Sequence, residues 1–196
     1  MTTLMPEILK ESAHGYDTIS LPTDFLARRE IFLTGTVDNT SMIEVIQQVL
    51  ALNHEDPQKE ITIYINSGGG SVESGFALVD VIKAIDAPVR TVCIGTAASM
   101  GAAIFLAGDT RQVLAHSSLM IHDPSFANLN IGGKKPHEVQ ALLDGLVSVK
   151  ASLVSLIAER THRDREEIAE LMKTDTYFNA QEAKDFGIAT EIIEHL

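Results

Sequence analysis

The sequence holds a single cysteine, Cys93, no tryptophan, and only 5% aromatic residues. A lone cysteine excludes an internal disulfide and suits a reducing compartment. Inside "VRTVCIG" it reads as a small buried hydrophobe rather than a catalytic thiol. Positive charge is scarce too. Fifteen Lys and Arg stand against 27 Asp and Glu, a formal net charge of −12. The basic residues lie in short or mixed groups such as "ARRE", "GGKKPH" and "THRDR". A polyanion needs clustered cations, so the charge argues against a nucleic-acid partner. No run approaches the ~18–20 apolar residues that span a bilayer. "MTTLMPEILKESAHGYDTIS" lacks the basic-then-apolar order of a secretory signal. The expectation is a cytoplasmic protein without a membrane partner.

What is present is an alternation of strand, turn and helix. At 196 residues with 45% apolar content, the chain has the size of one domain with a substantial core. "EIFLTGTV" (30–37), "EITIYIN" (60–66) and "VRTVCIG" (89–95) read as strands. "SMIEVIQQVLALN" (41–53), "SVESGFALVDVIKAI" (71–85) and "MGAAIFLAG" (100–108) follow them as helices. Ser41 with Glu44 three residues on is a capping-box pattern for the first of these helices. "RQVLAHSSLMIH" (111–122) supplies one or two further strands. The order predicts an α/β fold with a mostly parallel sheet.

After Pro124 comes a loop, "SFANLNIGGKK", and then residues 137–160 carry one long helical pattern. Val139, Leu142, Leu143, Leu146, Val149, Leu153, Leu156 and Ile157 recur at three- and four-residue steps. Such a helix, ~36 Å at 1.5 Å per residue, either lies across its own sheet or projects toward another subunit. Periodicity leaves both open. Two short helices, "DREEIAELM" (164–172) and "NAQEAKDFG" (179–187), and a last strand, "ATEIIE", complete the chain.

Ligands of α/β sheets collect where strands turn into helices, and three such turns carry chemistry. "INSGGGSV" (65–72) places three glycines where main-chain N–H groups could cradle an oxyanion, or where the chain merely turns tightly. It lacks the spacing of a phosphate loop or a dinucleotide fingerprint. "GTAASMGAAIFLAG" (95–108) surrounds Ser99 with small residues and resembles the G-x-S-x-G nucleophile elbow, with Ala97 for the first glycine. The small neighbours also suit a close helix-to-sheet contact. In "LMIHDPS" (119–125), His122 ends an apolar strand and is a candidate general base. Asp123 is next to it but points the wrong way for a third member. Asp175, in "KTDTYFNA", is one choice among several for the carboxylate that orients the imidazole.

From "IFLTGTV" to "EII", the sequence resembles the ClpP-like serine peptidases, the proteolytic subunits of Clp proteases. The stretches that carry the resemblance are "IYINSGGGSVESGFALVDVIK", "GTAASMGA", "MIHDPS" and "FNAQEAKDFGI". It implies a ClpP/crotonase-type α/β fold of repeated ββα units with a projecting handle helix. In these terms 30–124 and 161–196 form a head, 125–160 the handle, and 1–29 an entrance segment facing a partner, all in one domain. It implies Ser99 as nucleophile, His122 as base, Asp175 as third member, and the N–H groups of Gly70 and Met100 as oxyanion hole. It further implies stacked heptameric rings around a chamber, fed with unfolded chains by a hexameric ATP-driven Clp unfoldase. ATP belongs to that partner; no cofactor or metal is expected in this subunit.

Several positions depart from the family's pattern. Gly68 stands where proline is common, and Lys173-Thr174 where an acidic residue and Arg commonly contact the opposite ring. "LPTDFLA" replaces a "YSRLL"-like run in the partner-facing segment. Two other readings follow: a ring subunit that mainly scaffolds a mixed complex with a second ClpP-like subunit, or a crotonase-like enzyme acting on acyl-coenzyme A.

Overall fold

The computed structural model describes residues 6–12, 15–126 and 130–196. A two-stranded antiparallel hairpin, β1 (Glu7–Ser12) and β2 (Gly15–Ser20), leads into the short helix α1 (Leu21–Ala27). "LPTDFLA" is thus helical, opened by Ser20 as N-cap with Pro22 in the first turn. Proline fits there because the first N–H groups of a helix have no partner within it.

The main sheet follows: β3 (Glu30–Val37), β4 (Ile61–Gly70), β5 (Val89–Ala98), β6 (Thr110–Leu114), β7 (Ser118–Ile121), β8 (Thr176–Asn179) and β9 (Glu191–Ile193). The order β3-β4-β5-β6-β9 is parallel throughout. Ile61, Ile63 and Ile65 on β4, with Val89 and Cys93 on β5, join one apolar core. Burial pushes the Cys93 thiol pKa up, which suits an inert core residue. β5 then forks. Arg90–Cys93 pair with β6, whereas Thr96–Ala98 pair with β7. β7 in turn carries β8, antiparallel, on its other side.

Three helices sit between the strands: α2 (Asn39–Glu55), α3 (Val72–Ala84) and α4 (Met100–Ala107). The capping box of α2 lies earlier than Ser41 and Glu44 suggest. Asp38 is the N-cap: the Ser41 N–H donates to its Oδ1 at 2.8 Å, and its own N–H donates to Ser41 Oγ at 3.0 Å. Periodicity alone misplaced this boundary because Asn39 and Thr40 carry no apolar signal. α4 is buried along its whole length, so its small residues answer to packing. A Cβ on Gly101 would lie 2.9 Å from the Ser67 carbonyl oxygen. One on Gly75 of α3 would lie 2.2 Å from Met100 Cγ.

The long helix is α5 (Pro136–Thr161), followed by α6 (Arg165–Leu171) and α7 (Ala180–Phe186). An 18-residue window of α5 has a mean hydropathy of 1.7, so by length and composition it could cross a membrane. This differs from the expectation above, because Asp144 and Lys150 interrupt the stretch and leave no unbroken apolar run. Its C-terminal half is explained by packing within the chain: Leu153, Val154, Leu156, Ile157 and Ala158 are buried in the core. Its N-terminal half leaves Leu143 and Val147 exposed. Arg160, near its end, donates through Nε to Leu106 O at 2.8 Å and through Nη2 to Gly108 O, capping α4. Arg111 on β6 does the same for α5, donating from Nη2 to Arg160 O at 3.2 Å and from Nε to Ile188 O at 2.7 Å.

Candidate active site

The fork in β5 builds the site. Because its last residues pair with β7 rather than β6, the end of β7 lies beside the turn from β5 into α4. The Ser99 N–H donates to Met120 O at 2.8 Å, extending that pairing by one residue. Ser99 itself has φ 54 and ψ −120, a conformation in which a side-chain-bearing residue is strained. This abrupt turn lifts the hydroxyl clear of the buried helix behind it. His122, one residue past β7, meets it: Nε2 is 2.8 Å from Ser99 Oγ.

The third member follows from the antiparallel register of β7 and β8. Ile121 faces Thr176, so the next step of the ladder sets His122 opposite Asp175. The His122 Nδ1 to Asp175 Oδ1 distance is 3.2 Å. With Asp175 ionised, Nδ1 carries the hydrogen and Nε2 offers a lone pair to the Ser99 O–H. The structure therefore brings Ser99, His122 and Asp175 together in one chain of contacts. Asp123 turns elsewhere, its Oδ2 lying 2.6 Å from Lys150 Nζ.

The glycines "GGG" are not a turn after a strand, as the sequence suggests, but its extended end. Gly69 and Gly70 belong to β4 and pair with Thr36 and Val37 of β3. They are glycine for local reasons. At Gly69 (φ +91) a Cβ would lie 2.7 Å from Ala98 O and 2.8 Å from both Met100 N and Ser99 Cβ. At Gly70 (φ +151) it would lie 2.2 Å from Val37 O. The end of β4 thus runs against the Ser99–Met100 peptide. The Met100 N–H, first in α4, has no acceptor within the helix.

Beside Ser99 and His122 opens a small apolar pocket whose walls include Val72, Ala103, Ile121, Leu153, Ile157 and Met172. These residues come from α3, α4, β7, α5 and the segment after α6, so no motif in the sequence could announce them. Among the described residues no cluster of His, Cys, Asp and Glu is suited to hold a metal ion.

A strained serine, an imidazole and a carboxylate in contact at a strand-to-helix turn suit acyl transfer. A family model described as Clp protease matches residues 11–196. The chain belongs to the Clp protease family. It is accordingly a ClpP-type peptidase, a class that assembles in rings and works with an unfoldase. The parallel sheet and the long α5 agree with the ClpP fold.

Proposed function

We propose that this Clp protease subunit is a serine endopeptidase. Ser99 Oγ attacks the peptide carbonyl while His122 Nε2 takes its proton. The imidazolium that forms is held by Asp175 and then protonates the leaving amine. The Met100 and Gly70 N–H groups receive the oxyanion, a role supported by the closeness of β4 to the Ser99–Met100 peptide. The apolar pocket accepts an uncharged side chain of the substrate next to the scissile bond. No cofactor is required in these steps.

The observation that carries this reading is the pair of contacts on one imidazole, 2.8 Å to Ser99 and 3.2 Å to Asp175. The subunits assemble as stacked heptameric rings around a chamber in the cytoplasm. A hexameric Clp unfoldase spends ATP to thread unfolded chains into it. A second ClpP-like subunit could join the rings, but a mainly scaffolding role leaves the aligned site without use.

A fluorophosphonate probe tests the chemistry. The assembled protein should be labelled at Ser99, and Ser99→Ala should abolish both labelling and hydrolysis of a fluorogenic peptide. Unlabelled Ser99 in intact assemblies, or an active Ser99→Ala protein, would falsify the mechanism. Tight coenzyme A binding by calorimetry would point to the crotonase-like alternative.

A further inference from the structure

Two carboxylates flank His122. Asp175 lies against Nδ1, and Asp123 is the adjacent residue in the chain. Their surroundings differ. Asp123 Oδ2 is 2.6 Å from Lys150 Nζ, while its Oδ1 is buried without a hydrogen-bond partner. The Asp123 N–H donates to Met172 O at 2.6 Å. That backbone contact ties the end of β7 to the segment that delivers Asp175, whatever the Asp123 side chain does. Lys150 belongs to α5, just before its buried stretch begins at Leu153. Lys150 and Asp123 are both only partly exposed, at 29% and 35%.

We infer that Lys150 is a positioning residue: by claiming the Asp123 carboxylate, it leaves Asp175 as the only carboxylate on the His122 Nδ1–H. The inference rests on the serine peptidase reading above. A half-buried carboxylate with one orphaned oxygen is costly unless a cation or donor meets it. Without Lys150 neither oxygen of Asp123 has a partner, and the imidazole of the adjacent residue offers an Nδ1–H. Asp123 would then compete with Asp175, and a ring turned toward Asp123 carries Nε2 away from Ser99. Substrate binding by the apolar pocket would hardly change, because Lys150 is not among its walls. Turnover should fall and KM should not.

The test is a charge-removal cycle on the full-length assembled protein, with a fluorogenic peptide as substrate and native mass measured for every variant. Lys150→Met should lower kcat about tenfold, a fraction of the ~10²–10⁴ that a positioned base contributes, with KM within about twofold. Lys150→Arg should restore most of the loss, since it can still reach the carboxylate. The decisive member is Lys150→Met with Asp123→Asn. Removing the stray charge should return kcat to within about threefold of Asp123→Asn alone, a rescue expected only if the two residues act through one interaction. An unchanged kcat in Lys150→Met, or a double variant as slow as Lys150→Met, overturns the inference. So does a loss of assembly in Lys150→Met that the double variant does not repair, for Lys150 then serves the scaffold. Ser99→Ala separates the two levels: if it is inactive while Lys150→Met is fully active, only the role of Lys150 fails.

Discussion

Ser99 carries its hydroxyl on a backbone that most residues avoid. At φ 54 and ψ −120, a non-glycine residue costs on the order of 1–3 kcal/mol. Burial of α4 and the bond from the Ser99 N–H to Met120 O hold it there. Two outcomes follow at this scale. Ser99→Gly and Ser99→Ala should both be inactive, but the glycine variant should be more stable by about 1 kcal/mol in chemical denaturation, because only it relieves the strain. Gly69→Ala should act in the opposite sense. Its Cβ would meet three atoms at 2.7–2.8 Å, two of them main-chain atoms of Ala98 and Met100. The backbone must shift where the oxyanion would bind. Peptide hydrolysis should drop by at least about tenfold, since one lost oxyanion donor costs ~10²–10³.

Among the elements, the start of α2 and the end of α5 are held by different physics. The Asp38 carboxylate pKa is held below its ordinary value of 3.8, chiefly by the Ser41 backbone N–H and then by its hydroxyl. The stability this adds is fully present above 3.8 and is lost as pH falls through the lower, folded value. Asp38→Asn should keep the cap at neutral pH and lose that acid dependence, whereas Asp38→Ala should lose stability at neutral pH as well. Thermal melts at pH 7 and pH 3 separate them. At α5, Arg160 and Arg111 spend their donors on helix-end carbonyls rather than on carboxylates. Arg160→Met should therefore cost roughly 2–4 kcal/mol, since buried carbonyls lose charge-assisted bonds. Chemical denaturation would read it directly.

At the scale of the whole molecule, the N-terminal half of α5 is largely exposed while its C-terminal half joins the core. Leu143 and Val147, 45% and 65% exposed on α5, are apolar side chains left uncovered by the chain itself. In a family that assembles in rings, another subunit is their natural cover. Val147→Glu should lower the native mass of the assembly, because a carboxylate buried at such a contact has no partner. Circular dichroism should stay unchanged, the position being outside the core.

Much of this was legible in advance where the determinants are local. β3 spans the residues its β-branched run marked, and α3, α4 and α5 lie within a residue or two of their apolar periods. Where the determinants were not local, reading failed or stopped. The glycines at 68–70 read as a turn, yet they lie in β4, with Gly69 and Gly70 paired to β3. The cap of α2 lies at Asp38, ahead of the apolar period, since hydrogen bonds rather than hydrophobicity define it.

The same division runs through the site. The sequence by itself determined a serine in a small-residue elbow, a histidine at a strand end, and the alternation that makes an α/β sheet. Those depend on side-chain size and on spacings of two to four residues. Only the tertiary structure shows the contact that seats Asp175 on the imidazole, because the β7–β8 register sets it opposite His122 while Asp123 pairs with Lys150. Pairing across some fifty residues of chain leaves no mark in either segment until the strands meet.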